Sequence, residues 1–261
     1  VIVVSAAGNI GKNPITGKVQ YGAITAPGNA PWVLTVGASS HMGTLKRADD
    51  TVASFSSRGP TAKDYLAKPD VVATGVGIVS LAAPGSTMYT TKAAYLLDGS
   101  IATPNKPYLS LSGTSMAAPM VTGTVALMLQ ANPKLTPNLV KAIIQYTAQN
   151  QGYDPLSQGA GFLNVKGAVE LAKFLHSAQP GQRYPTHRTW SKTFHWGNRR
   201  VKNGVIKPGA TAWATNVVWG ASKTPTAMNI VWGTTCDTAE CDNIVWGTSL
   251  MDGSDLGTFD A

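Results

Sequence analysis

The residues of this chain best suited to chemistry lie at 113–119, where the sequence reads Gly-Thr-Ser-Met-Ala-Ala-Pro and contains Ser115. An extended run at 108–112 precedes this string, and an apolar run at 120–129 follows it. A glycine permits a tight turn between them, so we expect Ser115 at or beside the first turn of a helix. The first N–H groups of a helix lack internal partners and carry partial positive charge. A serine hydroxyl there can meet a substrate, with free donors beside it for a developing negative charge.

Two interpretations of this string are available. Gly-Thr-Ser alone favours a structural one, in which small residues let the start of a helix pack closely against a sheet. The whole seven-residue string, however, resembles the nucleophile motif of the subtilisin-like serine proteases, the subtilases. The resemblance implies that Ser115 is the nucleophile and that Thr114 contributes to substrate binding.

The start of the chain predicts an element that could position a second functional group. Residues 1–7 form a continuous apolar and β-branched run, which is typical of a buried parallel strand. The run turns at Gly8 and Asn9, and ligand sites of open α/β sheets lie beyond the carboxyl ends of such strands. The Asn9 amide can donate a hydrogen bond into a cleft or cap the turn, and by itself the capping role is favoured.

This turn carries the second resemblance to the subtilases. The string Ala6-Ala7-Gly8-Asn9 is similar to the Ala-Ala-Gly-Asn box of that family. The resemblance implies that Asn9 is the oxyanion-hole donor. It also implies that Ala6, Ala7 and Gly8 line the pocket for the substrate side chain.

The remaining segments up to about residue 175 alternate between strand and helix patterns. Residues 32–38 predict a second buried strand, and Thr136-Pro137 predicts a helix N-cap followed by the first helical residue. The Pro- and Gly-containing connection at 82–107 either borders the substrate cleft or is a loop without a role in the site. Other segments resemble subtilase elements: strand-and-turn segments at 52–60 and 68–73, a turn and short strand at 159–165, and a helix at 166–175. The resemblance implies an α/β fold, the C-terminal portion of a subtilisin-like parallel sheet flanked by helices.

The end of the chain differs from the rest and predicts a second unit. We place the boundary so that 1–178 is the catalytic-domain portion and 179–261 is a tail. The tail repeats Asn-Val/Ile-Val-Trp-Gly at 216–220, 229–233 and 243–247, which predicts three short strands with packed tryptophans in a small β-rich appendage. A tail that adheres to the catalytic domain and a surface- or polysaccharide-binding module are the alternatives.

Two states also stay open for Cys236 and Cys241, one local disulfide or two free thiols.

Composition and charge exclude some classes of function. Only 13% of residues are charged, and the net charge of +8 is not concentrated in Lys/Arg clusters beside aromatic residues, so we predict no nucleic-acid partner. No stretch reaches the length of a membrane span and no signal peptide is recognisable, so we expect a mature form or a fragment. The family resemblance and the low charge content imply a secreted, extracellular hydrolase. The scattered basic residues predict a solvated surface. Apart from the family resemblance, the following are interpreted as surface or turn residues: Arg58, Asp49, Asp50, Asp64 and Asp70.

The base and the orienting acid that a catalytic serine requires are missing from this sequence. In the subtilases the order along the chain is Asp, His, Ser, and the histidine lies in a His-Gly-Thr motif upstream of the Ala-Ala-Gly-Asn strand. Neither that motif nor the aspartate motif occurs here. His41 follows the asparagine box instead of preceding it. The other histidines lie in the tail or at its entry: His176, His187 and His195.

These observations predict a serine endopeptidase of subtilisin type, with this chain supplying Ser115 and Asn9 and an upstream fragment supplying Asp and His. That fragment is a separate chain after cleavage, is left out of this sequence, or does not exist. The expected partners are a polypeptide substrate and the upstream fragment, and no cofactor is required. Subtilases often carry structural calcium, but no carboxylate-rich loop of recognisable spacing indicates it here. The alternative function is a non-catalytic scaffold or surface-binding module derived from a subtilase.

Overall fold

The central sheet is built from three parallel strands near the start of the chain. The structure is a computed structural model that describes residues 1–179, 182–196, 199–202 and 206. Strand β2 (Leu34–Ser40) lies in the middle, with β1 (Val4–Ala6) on one side and β4 (Val71–Thr74) on the other, both parallel to it. The short strand β3 (Thr51–Val52) pairs antiparallel with the end of β2. The parallel sheet predicted from the apolar runs is therefore confirmed.

A second sheet leads into the serine motif. Strand β7 (Tyr108–Leu111) lies between β5 (Ile78–Leu81) and β6 (Leu96–Leu97), and both pairings are antiparallel. The long connection between β5 and β7 therefore returns to the sheet at β6. It also contains a short helix, α1 (Thr87–Thr91), which is capped by the Ser86 hydroxyl.

Four further helices pack around the central sheet. Helix α2 (Thr114–Ala131) covers β1, β2 and β4 and contacts α5 (Val165–Ser177), which in turn packs on α3 (Pro137–Thr147). The short helix α4 (Pro155–Gln158) lies between α3 and α5 in the chain and has no counterpart in the sequence predictions.

The local signals predicted for α3 and for residues 159–165 have different outcomes. Helix α3 begins as predicted, because the Thr136 hydroxyl accepts a hydrogen bond from the Leu139 N–H and proline follows it. The short strand predicted at 159–165 is reduced to single bridges from Phe162 to Val72 and Gln149.

The described residues beyond position 178 pack on α3. Strands β8 (Thr193–Trp196) and β9 (Arg199–Lys202) form an antiparallel hairpin, and the Gln145 side chain bonds the backbone N–H and C=O of His195. Trp190, Phe194 and Ile206 belong to the main hydrophobic core. The division at residue 178 stays a prediction, and the three repeats and both cysteines lie outside the described residues.

Not all charged residues lie on the surface, and the prediction of a fully solvated set is wrong. The buried charged residues are Asp50, Arg58, Lys68, Asp70 and Lys141, and three of them, Asp50, Arg58 and Asp70, are among the expected surface or turn residues. The Asp70 carboxylate accepts from the Lys68 ammonium at 2.8 Å, from the Lys141 ammonium at 3.0 Å and from the Thr35 N–H at 2.7 Å. Each ammonium group also donates to the Val33 carbonyl, at 2.7 Å and 3.0 Å. These contacts tie β2, β4 and α3 together, because buried charges require partners.

The three charges of this cluster do not balance. Although burial raises the pKa of Asp70, the ammonium groups of Lys141 and Lys68 outweigh that effect and hold its pKa below the ordinary value. One carboxylate cannot neutralise two ammonium groups. Burial lowers the pKa of Lys141 from 10.5 to about 7, the attraction of Asp70 opposes this change, and the repulsion from the Lys68 ammonium adds to it.

Helix α2 is unusual because it is apolar on its outer side as well as on its inner side. It contains no charged residue, and Met120 and Leu127 are 43% and 47% exposed. A surface helix of a globular protein normally turns a polar face to water. Strand β1 adds to this open region, because Val3 is 44% exposed and β1 pairs only with β2 among the described strands. Within the described part of the chain, no helix is both long and apolar enough to cross a membrane.

The buried cluster predicts how stability depends on pH. The folded pKa of Lys141, about 7, lies below the ordinary value of 10.5, so unfolding takes up a proton between these values. The free energy of unfolding should therefore rise between about pH 8 and 10. Above about pH 10 it should fall, because burial raises the pKa of Tyr146 to about 12 and unfolded tyrosines ionise first.

Urea unfolding at several pH values between 8 and 10 measures this slope. Lys141→Met should remove it, while the matched change Lys134→Met, at an exposed lysine before α3, should keep it. A wild-type stability that is flat or falls over this interval would contradict the assignment of the slope to Lys141.

Candidate active site

Ser115 lies at the start of α2, where the chain leaves β7. Gly113 precedes the helix, and its N–H donates to the Gly75 carbonyl at 2.8 Å, which ties the turn to the residue after β4. Thr114 and Ser115 are the first two helical residues; Thr114 is fully buried and Ser115 is exposed. The serine hydroxyl is therefore accessible, and its own N–H lies in the first turn, where no preceding helical carbonyl can accept it.

The Asn9 side chain contacts the serine motif directly, although 105 residues separate the two. Its Oδ1 accepts from the Thr114 N–H at 2.9 Å and from the Thr114 hydroxyl at 3.0 Å. The same hydroxyl accepts from the Gly8 N–H at 3.1 Å. Thr114 therefore joins the turn after β1 to the first residue of α2.

These contacts determine which groups stay available. Because Oδ1 is used by Thr114, the Nδ2 amide group is the end of the Asn9 side chain that is left for another acceptor. A Cβ placed on Gly113 would lie 3.5 Å from Asn9 Nδ2 and 3.7 Å from the Ser115 backbone nitrogen. The two donors thus border one small space beside the exposed serine, an arrangement that can hold an oxyanion.

The predicted pocket residues lie at the end of β1. Ala7 is fully buried, and Gly8 has a φ of +107°, which favours glycine. A Cβ on Gly8 would meet the Ser57 Oγ and the Thr25 side chain at 2.8 Å. Sequence reasoning gave neither of these neighbours a role. The string that contains Ser57 resembled the family, but it offered no signal of this contact.

The described histidines and acids do not form a triad with Ser115. His41 accepts a hydrogen bond from the Gly43 N–H in its own turn, and His187 pairs with Glu170 at 3.2 Å. His195 is buried on β8, which packs against α3. Across the described ranges, no three His, Cys, Asp or Glu side chains come together as metal ligands.

Comparisons with known proteins agree on one family. The family model described as the Subtilase family matches residues 1–162. The serine protease AprX of Bacillus subtilis (strain 168) is 40% identical over 170 residues, which are 65% of this chain and 35% of that protein. The minor extracellular protease Vpr of the same organism is 36% identical over 133 residues, 48% of this chain and 14% of Vpr. Subtilisin DY of Bacillus licheniformis is 31% identical over 170 residues, 65% of this chain and 47% of that protein. The chain thus spans less than half the length of each of these relatives.

The crowding at Gly8 gives a prediction about stability. Gly8→Ala should lower the free energy of unfolding by about 2–4 kcal/mol, since a methyl group would both require a positive φ and collide with Ser57 and Thr25. Gly17 is the matched control, because its φ is +69° and nothing lies within 4 Å of its added Cβ. Gly17→Ala should cost only about 1 kcal/mol, from the positive φ alone. Equal losses for the two variants, measured by urea unfolding, would show that the turn after β1 is not packed as described.

Proposed function

Because the chain belongs to the subtilase family, we propose that it is the C-terminal part of the catalytic domain of a serine endopeptidase that hydrolyses peptide bonds through an acyl-enzyme. The convergence of Asn9 on the serine motif carries this proposal. It leaves an exposed hydroxyl beside two hydrogen-bond donors for which no acceptor is found among the residues that the structure describes.

The proposed reaction uses protein groups alone. The Ser115 Oγ attacks the peptide carbonyl carbon, and a histidine outside this sequence takes the hydroxyl proton. The carbonyl oxygen becomes an oxyanion, which Asn9 Nδ2 and the Ser115 N–H hold. The histidine then gives the proton to the departing amine, and an acyl group stays on Ser115. Water, deprotonated by the same histidine, then attacks the acyl carbon. The ester C–O bond breaks, the carboxylic acid product leaves, and the histidine returns the proton to Ser115 Oγ.

The histidine and its orienting aspartate come, in this proposal, from an upstream segment that packs on the open face of α2. Support comes from the exposed Met120 and Leu127, since an apolar face of this kind is normally covered. An apolar groove of about 450 Å³ begins at Met116, the residue after Ser115. Its other walls include Ile78, Leu109, Leu111, Pro119 and Met120. A segment seated there would contact Met116, the residue that follows the serine.

The substrate and location follow from the same proposal. A polypeptide binds with one side chain in a pocket beside Ala6, Ala7 and Gly8, the residues that the family resemblance assigns to its wall. An extracellular location is supported by the low content of charged residues and by the similarity to Vpr, whose name describes an extracellular protease.

Labelling by a fluorophosphonate tests the proposal. The purified native protein, analysed by intact mass under denaturing conditions, should contain the upstream segment on the same polypeptide or as a co-purifying fragment. That material should be labelled at Ser115. Ser115→Ala should abolish labelling, whereas Ser177→Ala, at an exposed serine at the end of α5, should not change it. Folded native protein that stays unlabelled would favour the non-catalytic scaffold and end the protease proposal.

Asn9 gives a second prediction for the active protein. Asn9→Ala should lower kcat by about 100- to 1000-fold with little change in KM, a magnitude already established for such a donor within this family. The physical reason is that the amide meets the oxyanion and not the ground-state carbonyl. Steady-state kinetics on a peptide substrate measure the loss. A rise in KM at constant kcat would instead assign Asn9 to ground-state binding.

A further inference from the structure

The backbone on both sides of Asn9 is held by Ser57. The Ser57 N–H donates to the Gly8 carbonyl at 2.9 Å, and the Ser57 hydroxyl accepts from the Ile10 N–H at 3.0 Å. Ser57 is fully buried, whereas Asn9 is exposed. One buried residue therefore brackets the exposed residue whose amide faces the site.

Arg58 continues the same support one step further along the turn. Its Nη1 donates to the Gly11 carbonyl at 2.8 Å and its Nε to the Ser157 hydroxyl at 2.9 Å. The side chain belongs to a residue only 8% exposed, and among the described residues no carboxylate lies within salt-bridge distance of its guanidinium. A buried cation without a carboxylate partner is costly, so its contacts with a carbonyl and a hydroxyl call for an explanation.

The segment that carries both residues is itself attached to the central sheet. The Ser56 hydroxyl accepts from the Ala38 N–H of β2 at 3.0 Å, and the Gly11 N–H donates to the Phe55 carbonyl at 2.9 Å. A Cβ on Gly11 would lie only 2.3 Å from the Ser56 carbonyl oxygen, so the turn is pressed against this segment. A continuous set of contacts thus runs from β2 to Asn9.

We propose that Arg58 and Ser57 form a clamp that positions the Asn9 amide for oxyanion binding, a role that rests on the proposed peptidase function. Thr114 holds the Asn9 side chain from the α2 side, and the clamp holds its backbone from the β2 side. Both residues act through Asn9 and touch no substrate, so they are positioning residues. The orientation of an oxyanion donor affects the transition state more than the bound substrate.

Kinetics in two backgrounds test the clamp in the native protein with its upstream segment. Arg58→Met should lower kcat about tenfold and leave KM within about twofold, because a small displacement weakens a transition-state contact without removing it. In the Asn9→Ala background, Arg58→Met should lower kcat by less than about twofold, because the amide that Arg58 positions is gone. Arg58→Lys should keep part of the activity.

The control is Arg47→Met, which removes another guanidinium that donates to a backbone carbonyl, in this case the carbonyl of Leu163. This change should leave kcat and KM within about twofold of wild type.

Equal losses from Arg58→Met with and without Asn9 would overturn the clamp and leave a general structural role for Arg58. A change in KM alone, or no change, would overturn it as well. If Arg58→Met fails to fold, Ser57→Ala, which removes only the acceptor of the Ile10 N–H, replaces it in the same cycle with the same expected pattern.

A readout without catalysis separates this proposal from the peptidase proposal. Hydrogen exchange at the Ile10 and Gly11 amides should become at least about tenfold faster in Ser57→Ala or Arg58→Met than in wild type, with α5 unchanged as an internal reference. Unchanged exchange at both amides would refute the clamp even in an active enzyme. Faster exchange in a protein whose Ser115 is never labelled would keep the clamp as a structural feature and refute its catalytic purpose.

Discussion

The hydrogen bonds between Asn9 Oδ1 and Thr114 are the contacts on which the proposed site depends. They join the turn after β1 to the first residue of α2, two places that are far apart in the sequence. Thr114 is buried, so it is held by the surrounding fold, and it leaves the adjacent Ser115 exposed. The asparagine uses its acceptor to bind Thr114, which leaves its Nδ2 group for the proposed oxyanion. Without these hydrogen bonds, the Asn9 amide and Ser115 would have no fixed position relative to each other.

The central sheet carries this arrangement because its strands are tied together by polar contacts as well as by apolar packing. Asp70 binds the β2 backbone at Thr35 and two lysines, of which Lys141 lies on α3. The Ser56 hydroxyl accepts a hydrogen bond from the β2 backbone, and Ser56 lies in the segment that contacts the turn containing Asn9. The inner face of α2 is buried on the same sheet while its outer face is open. Ser115 is therefore supported by packing and hydrogen bonds on the sheet side, and the exposed face of α2 is the side on which the proposed upstream segment would pack.

Local signals in the sequence predicted much of the fold, and contacts between distant residues explain what they missed. The apolar runs gave the parallel strands, and Thr136-Pro137 gave the start of α3, because each signal acts within a few residues. The interpretation of Arg58 and Asp70 as surface or turn residues is wrong, because nothing adjacent in the chain shows that Gly11, Ser157 or Lys141 surrounds them. The resemblance of two short sequence motifs to the family predicted that Ser115 and Asn9 belong to the same active site. They did not reveal the Thr114 contact or the bracketing of Asn9 by Ser57, which exist only after the chain has folded.

The proposed convergence of Asn9 Nδ2 and the Ser115 N–H on one oxyanion can be observed in a crystal structure with a transition-state analogue. The native protein with its upstream segment would be crystallised with a peptide boronate or aldehyde bound to Ser115. We expect one oxygen of the tetrahedral adduct at about 2.7–3.1 Å from both nitrogens. An adduct whose oxygens all point away from Asn9, or an analogue that forms no bond to Ser115 in folded protein, would contradict it.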